Sequence, residues 1–459
     1  MSLAARTPTR PTLMQIEIPN IKPRPYQVPT FRALDRGIDR AWLCWHRRAG
    51  KDEVCLHITA GKALDRPGNY WHCFPEYAQA RKAVWEAINP HTGKRRIDEA
   101  FPREIRRRTV NDEMLIELVN GSTWRPVGAD AYNSLVGSGP AGIVFSEYAL
   151  SDPAAWDYMR PMLLESKGWA IFNSTMRGRN HFWRLGEFAK NDPAWFYSNL
   201  RADQTGVFTP EQLDQELREM RATKGEEEGD AQFKQEYFND PDVALPGAYY
   251  AAQLTRMEQD GRITEVPWDP SQPVGMAWDL GFGDSTAIWF YQQIGLQVRI
   301  IDYLEGNSAD ITQWAPRLRA LPYTYAESIL PHDAGSGHIN GQSVARQLTG
   351  LNFKIGNKVT GDGECLPREP VDPGIQKVRT FLGQCWFDKT KCARGLDALR
   401  SYHREWDDKR KMFKDQPKHD WTSHGADAFR YLAVGFRPLT TAAPRVPGKA
   451  TSDYNMFGG

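Results

Sequence analysis

The chain has 459 residues, long for one domain, so two compact domains plus tails are expected. Lysine and arginine total 58 against 57 acidic residues, a net charge of +1 that excludes a uniformly basic nucleic-acid coat and leaves only local patches for such contact. A membrane span needs roughly 18 apolar residues and none is found, the N-terminus MSLAARTPTRPT lacks an apolar leader core, and the six cysteines (44, 55, 73, 365, 385, 392) have no zinc or disulfide spacing, so a soluble, non-secreted protein with reduced thiols is expected.

Residues 1–20 carry three prolines and no periodic pattern, and read as a flexible arm. The first domain is expected over 21–205. There AWLCW (41–45), a helix from about Glu53 to Leu64, NYWHCF and YAQARKAVWEAI alternate strand-like and helical patterns, which predicts βαβ units and a parallel sheet. EMLIELVNGSTWRPV (113–127) holds two extended runs around Asn120-Gly121, a hairpin signal. AGIVFSEYAL and GWAIFNSTMRGRNHF follow as buried strands, the second running into a polar turn.

A helical lid or linker region is expected over 206–265. Thr209-Pro210-Glu211-Gln212 opens a helix with an N-cap, Pro at the first position and Gln at N3, and the charge run KGEEEGD (224–230) reads as a solvated helix end or loop. The proline-rich connectors at 241–250 and 266–274 place the domain boundary near 245–270. The second domain, 266–437, begins with three strand-like runs, VGMAWDLG, STAIWFYQ and QVRIIDYLE, read as an antiparallel meander. Helical ADITQWAPRLRAL, the apolar run ESILPHD, GIQKVRTFL and a last helix around SHGADAFRYLAVGF complete it, and 438–459 is a second flexible tail. The 16 tryptophans and 17 tyrosines are read first as core, ahead of stacking surfaces.

WHRRAGKDE (45–53) follows a strand and precedes a helix, the setting of a phosphate-binding loop, in which a glycine-rich backbone cradles phosphates, a lysine reaches them and a hydroxyl sits on Mg²⁺. Gly50 and Lys51 fit that pattern, whereas Trp45 stands at the first glycine and Asp52 at the hydroxyl position. Roughly ninety residues later GIVFSEY puts Ser146-Glu147 at a strand end, the form of a Walker B element, with Glu147 placed to polarise the attacking water. Arg47, Arg48, Ala49, Gly50, Lys51, Asp52 and Glu53, with Gln27 of RPYQ (24–27) at the adenine, make the candidate ATP-contacting set, and Ser174-Thr175 at another strand end are candidates for sensing the γ-phosphate. One of Arg47 and Arg48 is a candidate arginine finger and the other a simple ion-pair partner. Ser146 occupies the usual place of a Walker B aspartate, so an exchange is read in which the carboxylate near the metal has moved to Asp52. The competing reading has Asp52 only capping the helix start, where a carboxylate suits the dipole.

In the second half Asp279 and Asp333 end strand-like runs and Asp427 lies in the last helix, the strand, strand and helix convergence that builds a two-metal nuclease site. Oxygen ligands favour Mg²⁺ or Mn²⁺ there. Asp284 is a candidate fourth ligand or a residue supporting one, while Asp302 and Glu305 are weaker candidates, and each acid taken singly reads first as a turn or surface residue. His424, three residues before Asp427, is read either as orienting a ligand or protonating a leaving group, or as a capping and packing residue.

Taken in order, RPYQ, WHRRAGKDE, NSLVGSGPAGIVFSEYAL, FNSTMRGRNHF, AWDLGFGDSTAI, LPHDAG and SHGADAFRYL make the chain resemble the large terminase subunit of tailed bacteriophages over about residues 20–437. The resemblance implies an α/β protein with an N-terminal P-loop (ASCE-type) ATPase domain on a mainly parallel sheet and a C-terminal RNase H-like nuclease domain. It implies Lys51 on phosphates, Glu147 as catalytic carboxylate, Gln27 near adenine, Ser174 and Thr175 coupling hydrolysis to motion, and Asp279, Asp333 and Asp427 as nuclease metal ligands. It further implies ATP with Mg²⁺, two Mg²⁺ or Mn²⁺ ions in the nuclease, and double-stranded DNA, a portal protein and a small terminase subunit as partners. The implied setting is a homo-oligomeric ring on the procapsid in the cytoplasm of an infected host, with no membrane. The chain departs from the family at Trp45, at Ser146 and at Val136, where relatives often carry Arg. The clusters KRR (94–96) and REIRRR (103–108) are candidate phosphate-backbone contacts or a solvated face. The rival readings are a P-loop helicase or translocase whose second half binds nucleic acid without cutting it, and a packaging component with an inactive ATPase.

Overall fold

A computed structural model of the chain describes residues 21–135, 139–243, 245–281, 285–306, 311–335, 343–356, 365–407 and 412–437. The arms at 1–20 and 438–459, Val136 and Asp284 lie outside the described residues. The chain divides into two compact units, Met1–Pro246 and Gly247–Gly459.

The first unit is built on one eight-stranded sheet. Its strands are β1 (Arg40–Trp45), β2 (Asn69–Phe74), β3 (Arg106–Val110), β4 (Leu115–Leu118), β5 (Thr123–Gly128), β6 (Pro140–Ser146), β7 (Trp169–Ser174) and β8 (Trp195–Leu200), in the order β3-β4-β5-β2-β6-β7-β1-β8. From β5 to β8 every pairing is parallel, and only β3, β4 and β5 pair antiparallel. Every residue of β6 and β7 is buried, as a parallel sheet covered on both faces requires. Alternation along β1 sends Leu43 and Trp45 to one core, shared with helix α2 (Lys51–Asp65), and Trp42 and Cys44 to the other, shared with Phe145, Trp156 and Phe182. Trp42, Trp45, Trp71, Trp124, Trp278, Trp289 and Trp314 are all fully buried, which assigns much of the tryptophan content to cores. The Asn120-Gly121 hairpin forms as expected, Leu118 N–H donating to Ser122 O at 2.8 Å, and Asn120 Nδ2 donates to Ala63 O at 2.8 Å near the end of α2.

After β8 the chain forms two helices, α3 (Pro210–Lys224) and α4 (Glu226–Phe238). Thr209 caps α3 through a reciprocal box with Gln212, and Gly225 breaks the path between them. The acidic run therefore opens a helix, with Glu226, Glu227 and Glu228 in the first turn of α4 where they complement its dipole.

In the second unit β9 (Ile263–Thr264), β10 (Val274–Asp279), β11 (Thr286–Ile294), β12 (Gln297–Gly306), β13 (Tyr325–Ile329), β14 (Lys354–Ile355) and β15 (Cys385–Asp388) form a sheet ordered β14-β13-β10-β11-β12-β15-β9. The expected meander is β10-β11-β12, antiparallel throughout, while β13 runs parallel to β10 and β14 parallel to β13. That is the RNase H-like arrangement, extended at the β12 edge by β15 and β9. Helix α5 (Trp421–Gly435), capped by Asp420, packs across β10 and β11 between helices Val371–Phe381 and Ala393–Ser401. A pair of strands, β16 (Arg404–Asp407) and β17 (Met412–Pro417), stands apart from the sheet.

Gly425 allows α5 to lie this close. A Cβ on it would fall 2.9 Å from Ala398 Cβ and 2.9 Å from Tyr303 Oη, and its carbonyl accepts the indole N–H of Trp289 at 2.8 Å. Gly425→Ala is expected to destabilise the second unit by about 1–3 kcal/mol despite the helix-propensity gain. Urea denaturation monitored by tryptophan fluorescence measures this, and an unchanged midpoint would show that the packing yields.

Candidate nucleotide and carboxylate sites

Parallel strands end at one edge of the sheet, and ligands of open α/β sheets bind beyond that edge. In the first unit β7 lies between β1 and β6, with Cys44 beside Ser174 and Ser146 beside Asn173 in register. The phosphate loop, the Ser146-Glu147 turn and the Asn173-Ser174-Thr175 end are therefore brought together by the strand order.

Trp45 does not disturb this loop, because it still belongs to the strand. It is fully buried, donates its indole N–H to Ser198 Oγ at 2.9 Å and meets Tyr26 edge-on at 5.9 Å between ring centroids. The turn itself is made farther on, by Arg48 at φ 70° and Gly50 at φ 80°, which precedes the first residue of α2. Glycine is required there, since the left-handed backbone disfavours a side chain and a Cβ would sit 3.0 Å from Gln27 Nε2. Lys51, Asp52 and Glu53 then form the first turn of α2, whose N–H groups have no acceptor within the helix and favour an anion. Gln27, expected near the adenine, braces the loop in this structure: Nε2 donates to Ala49 O at 3.0 Å and Oε1 accepts the Arg24 amide at 2.9 Å.

Lys51 Nζ lies 3.5 Å from Glu147 Oε1, and Ser174 Oγ donates to Glu147 Oε2 at 3.3 Å. Glu147 sits in the left-handed region at φ 50°, a cost of about 1–3 kcal/mol of the kind that gathers at functional sites. Thr175 Oγ1 is buried without a hydrogen-bond partner. The first contact of Asp52 is with Ser146, whose hydroxyl donates to Oδ1 at 2.6 Å, and Asn173 Nδ2 donates to the same oxygen at 3.2 Å. Asn173 Nδ2 also donates to Ser146 Oγ at 3.1 Å, and His72 Nε2 lies 2.7 Å from that hydroxyl. Ser146 has one proton and gives it to a carboxylate, so His72 must be the donor through Nε2–H.

Arg47 and Arg48 are both exposed on the loop, and Arg47 is the one tied elsewhere. Its amide donates to Glu236 O at 2.9 Å and its guanidinium lies 3.9 Å from Glu236 Oε2. Glu236, in α4, also takes a 2.7 Å bond from Arg177, which donates to Gln235 Oε1 at 3.1 Å. Burial raises the Glu236 carboxyl, but Arg177, Arg47 and Lys51 outweigh it and hold it below its ordinary value. Three residues further, just past the end of α4, Asn239 Nδ2 donates to Cys44 O and Leu200 O, each at 3.0 Å. Sequence reading missed Arg177, Glu236, Asn173 and His72, because all act through strand and helix neighbours distant in the chain. The polar turn after FNST carried a faint signal for Arg177.

Among the basic clusters, Arg95 and Arg106 are bound to Asp98, both at 2.7 Å, and so serve local structure. Arg103, Arg107 and Arg108 remain exposed, Arg107 in an ion pair with Glu117 at 3.1 Å.

In the second unit Asp279 ends β10, Asp333 lies in the short turn His332–Gly335 after β13, and Asp427 lies on α5. Burial, with Asp427 and Asp333 adding to it, pushes Asp279 up to about 6, against the pull of His424, whose Nδ1 is 3.3 Å from Asp279 Oδ2. Asp427 Oδ1 accepts from Arg430 at 3.0 Å and from Tyr402 Oη at 3.4 Å. Asp333 Oδ1 is buried with no hydrogen-bond partner. The three acids feel one another, yet among the described residues no group of three His, Cys, Asp or Glu is placed to hold a metal ion. Glu305 pairs with Arg394 at 3.2 Å and Asp302 accepts from Tyr323 at 2.8 Å, which engages both weaker candidates structurally. All six cysteines are buried and none forms a disulfide.

Burial pushes His72 from 6.5 down to about 4, with Asp52 opposing. As pH falls below 6.5 the unfolded chain takes up a proton that the folded one refuses, so the stability contribution is complete above 6.5 and lost as pH falls to about 4. The loss at His72 is on the order of 3 kcal/mol. Thermal unfolding followed across that window is expected to show a falling Tm, with a shallower fall in His72→Gln; an equal slope in the variant would remove His72 from the account.

No protein-family model matches the chain. It is 23% identical over 433 residues, 90% of this chain and 90% of the relative, to the large terminase subunit of Escherichia phage T5. Solved structures that resemble it include the large terminase of a thermophilic bacteriophage in complex with ADP, at TM-score 0.39 and 16% identity over 89% of this chain and 98% of that one. The Thermus phage P74-26 large terminase ATPase domain gives TM-score 0.38 and 21% identity over 48% and 94%. The P22 large terminase nuclease domain gives 0.28 and 16% over 38% and 86%. The sequence match runs along nine tenths of both chains, so the similarity to a large terminase subunit spans both units and is not confined to one domain.

Proposed function

We propose that this chain is a viral DNA-packaging motor that hydrolyses ATP to move double-stranded DNA into a procapsid and cuts that DNA with its second unit. The observation that carries the first half is the meeting of Lys51, Asp52, Ser146, Glu147 and Ser174 at one sheet edge, beside a helix start that favours phosphate. Lys51 and the first-turn amides of α2 bind the phosphates. Glu147, released from Lys51 when phosphate takes the lysine, orients the attacking water. Ser174 reports the position of Glu147 to the segment after β7, and Arg47 or Arg48 neutralises charge at the transferring group. Asp52 would help hold a Mg²⁺ ion at this edge, which would supply neutralisation of the charge that develops on the phosphates.

The donor chemistry of the second unit suits hard divalent cations, with three aspartates and an unpartnered buried oxygen on Asp333, although among the described residues the three acids are not gathered into one metal-binding group. Asp279, Asp333 and Asp427 would hold two Mg²⁺ or Mn²⁺ ions, which supply an activated water and stabilise the leaving oxygen. His424 orients Asp279. Exposed Arg103, Arg107 and Arg108 give sequence-independent phosphate contacts. The portal protein, a small terminase subunit and a homo-oligomeric ring in the host cytoplasm belong to the same reading. Among the described residues no helix is long and apolar enough to cross a membrane. The hold of Arg430 and Tyr402 on Asp427 favours one alternative, a translocase whose second unit binds DNA without cutting it.

Wild type is expected to hydrolyse ATP and, with Mn²⁺, to nick supercoiled plasmid. Lys51→Ala should lower ATP turnover by about 10² or more while cleavage persists, and Asp427→Ala should do the reverse. Intact plasmid with wild type would establish the non-cutting alternative, and equal turnover in Lys51→Ala would reject the ATP site.

A further inference from the structure

In a standard phosphate loop the hydroxyl on the first turn of the helix and the carboxylate at the end of the Walker B strand both serve the metal. Here the residue types at positions 52 and 146 are interchanged, and the two side chains touch: Ser146 Oγ donates to Asp52 Oδ1 at 2.6 Å. Two unrelated substitutions would have no reason to remain in direct contact with complementary chemistry. The surroundings add a second observation. His72 Nε2 and Asn173 Nδ2 both aim hydrogens at position 146, at 2.7 and 3.1 Å, and Asn173 donates to Asp52 as well. Two donors converging on one point suit a carboxylate as well as a hydroxyl, so the pocket around position 146 accepts either residue. With Ser146 accepting both, its proton is left to Asp52 alone. Both hydrogen bonds to Asp52 land on Oδ1, so among the described residues Oδ2 takes none.

We propose that Asp52 and Ser146 are a reciprocal exchange, in which the carboxylate facing the nucleotide's metal sits on α2 instead of β6, and that His72 and Asn173 are positioning residues that aim the exchanged pair. The physical gain is in the charge. Position 146 is fully buried at a strand end, whereas position 52 is partly exposed, next to Lys51 and in the first turn of a helix whose dipole favours an anion. The exchange keeps the hydroxyl–carboxylate bond and moves the negative charge from the costlier site to the cheaper one. A carboxylate at both positions would set two anions in contact, and a hydroxyl at both would leave Glu147, which is engaged by Lys51 and Ser174, as the acid of the site.

This inference rests on the loop being a nucleotide site, and the test separates the two. Affinity of the full chain for a fluorescent non-hydrolysable ATP analogue is measured with and without Mg²⁺, alongside Tm in the absence of nucleotide. Wild type binds more tightly with Mg²⁺. Asp52→Asn keeps the Mg²⁺-free affinity and loses about tenfold or more of the Mg²⁺-dependent gain. Ser146→Asp alone lowers Tm, and adding Asp52→Ser to it restores both Tm and the gain to within about threefold of wild type. Asn173→Ala and His72→Gln reduce the Mg²⁺-dependent gain while sparing the Mg²⁺-free affinity, which a merely structural role would also move. If Asp52→Asn keeps the full gain, or the double variant is no better than Ser146→Asp, the exchange is wrong while the site stands. Absence of any binding by folded wild type overturns both.

Discussion

The hydrogen bond between Ser146 and Asp52 ties the end of one strand to the first turn of the helix that follows another, and the sheet edge proposed to bind phosphate in the first unit is organised around it. It exists because β7 separates β1 from β6 and lends its penultimate residue, Asn173, to fill the gap. On one side of this contact Lys51 and Glu147 face each other, and on the other His72 closes the polar chain inside the core. A buried polar network is stable only when its members are satisfied. Here each donor to Ser146 is matched, and the atoms left over are His72 Nδ1 and Asn173 Oδ1.

Much of this was legible in the amino-acid order. The alternation through AWLCW, NYWHCF and GIVFS predicts a parallel sheet because buried strands read as unbroken apolar runs, and Thr209 to Gln212 announces a helix by its own chemistry. Gly50 and Lys51 mark the loop because a left-handed turn before a helix needs a glycine. Trp45 looked like a defect only when the loop was counted from the motif. It is the last residue of β1, and the turn belongs to Arg48 and Gly50. The role of Gln27 was less legible, since an amide that reads a base and one that braces a loop have the same sequence signature. Arg177 and Glu236 could not be paired from sequence at all: they lie 59 residues apart and meet only because the end of α4 docks on the strand ends.

The second unit shows the same division between pattern and placement. Its meander, the carboxylate ending β10 and the last helix follow from periodicity, while the approach of α5 to the sheet depends on the missing side chain of Gly425. Burial, joined by the charges of Asp427 and Asp333, raises the Asp279 carboxyl. Arg430 and His424 offset part of that charge, and a divalent cation would offset the rest. Both units thus use carboxylates at strand and helix ends, one beside a lysine and the other beside two further acids, and the neighbour decides which chemistry each edge supports.

The central claim is that the carboxylate serving the nucleotide's metal comes from Asp52. The direct measurement is electron–nuclear double resonance on Mn²⁺ and an ATP analogue bound to the chain labelled with ¹³C at aspartate carboxyls, in an Asp427→Ala background that weakens Mn²⁺ binding by the second unit. The account predicts a ¹³C coupling to the Mn²⁺ that disappears when Asp52→Asn is added. The same spectrum with and without that substitution would contradict it.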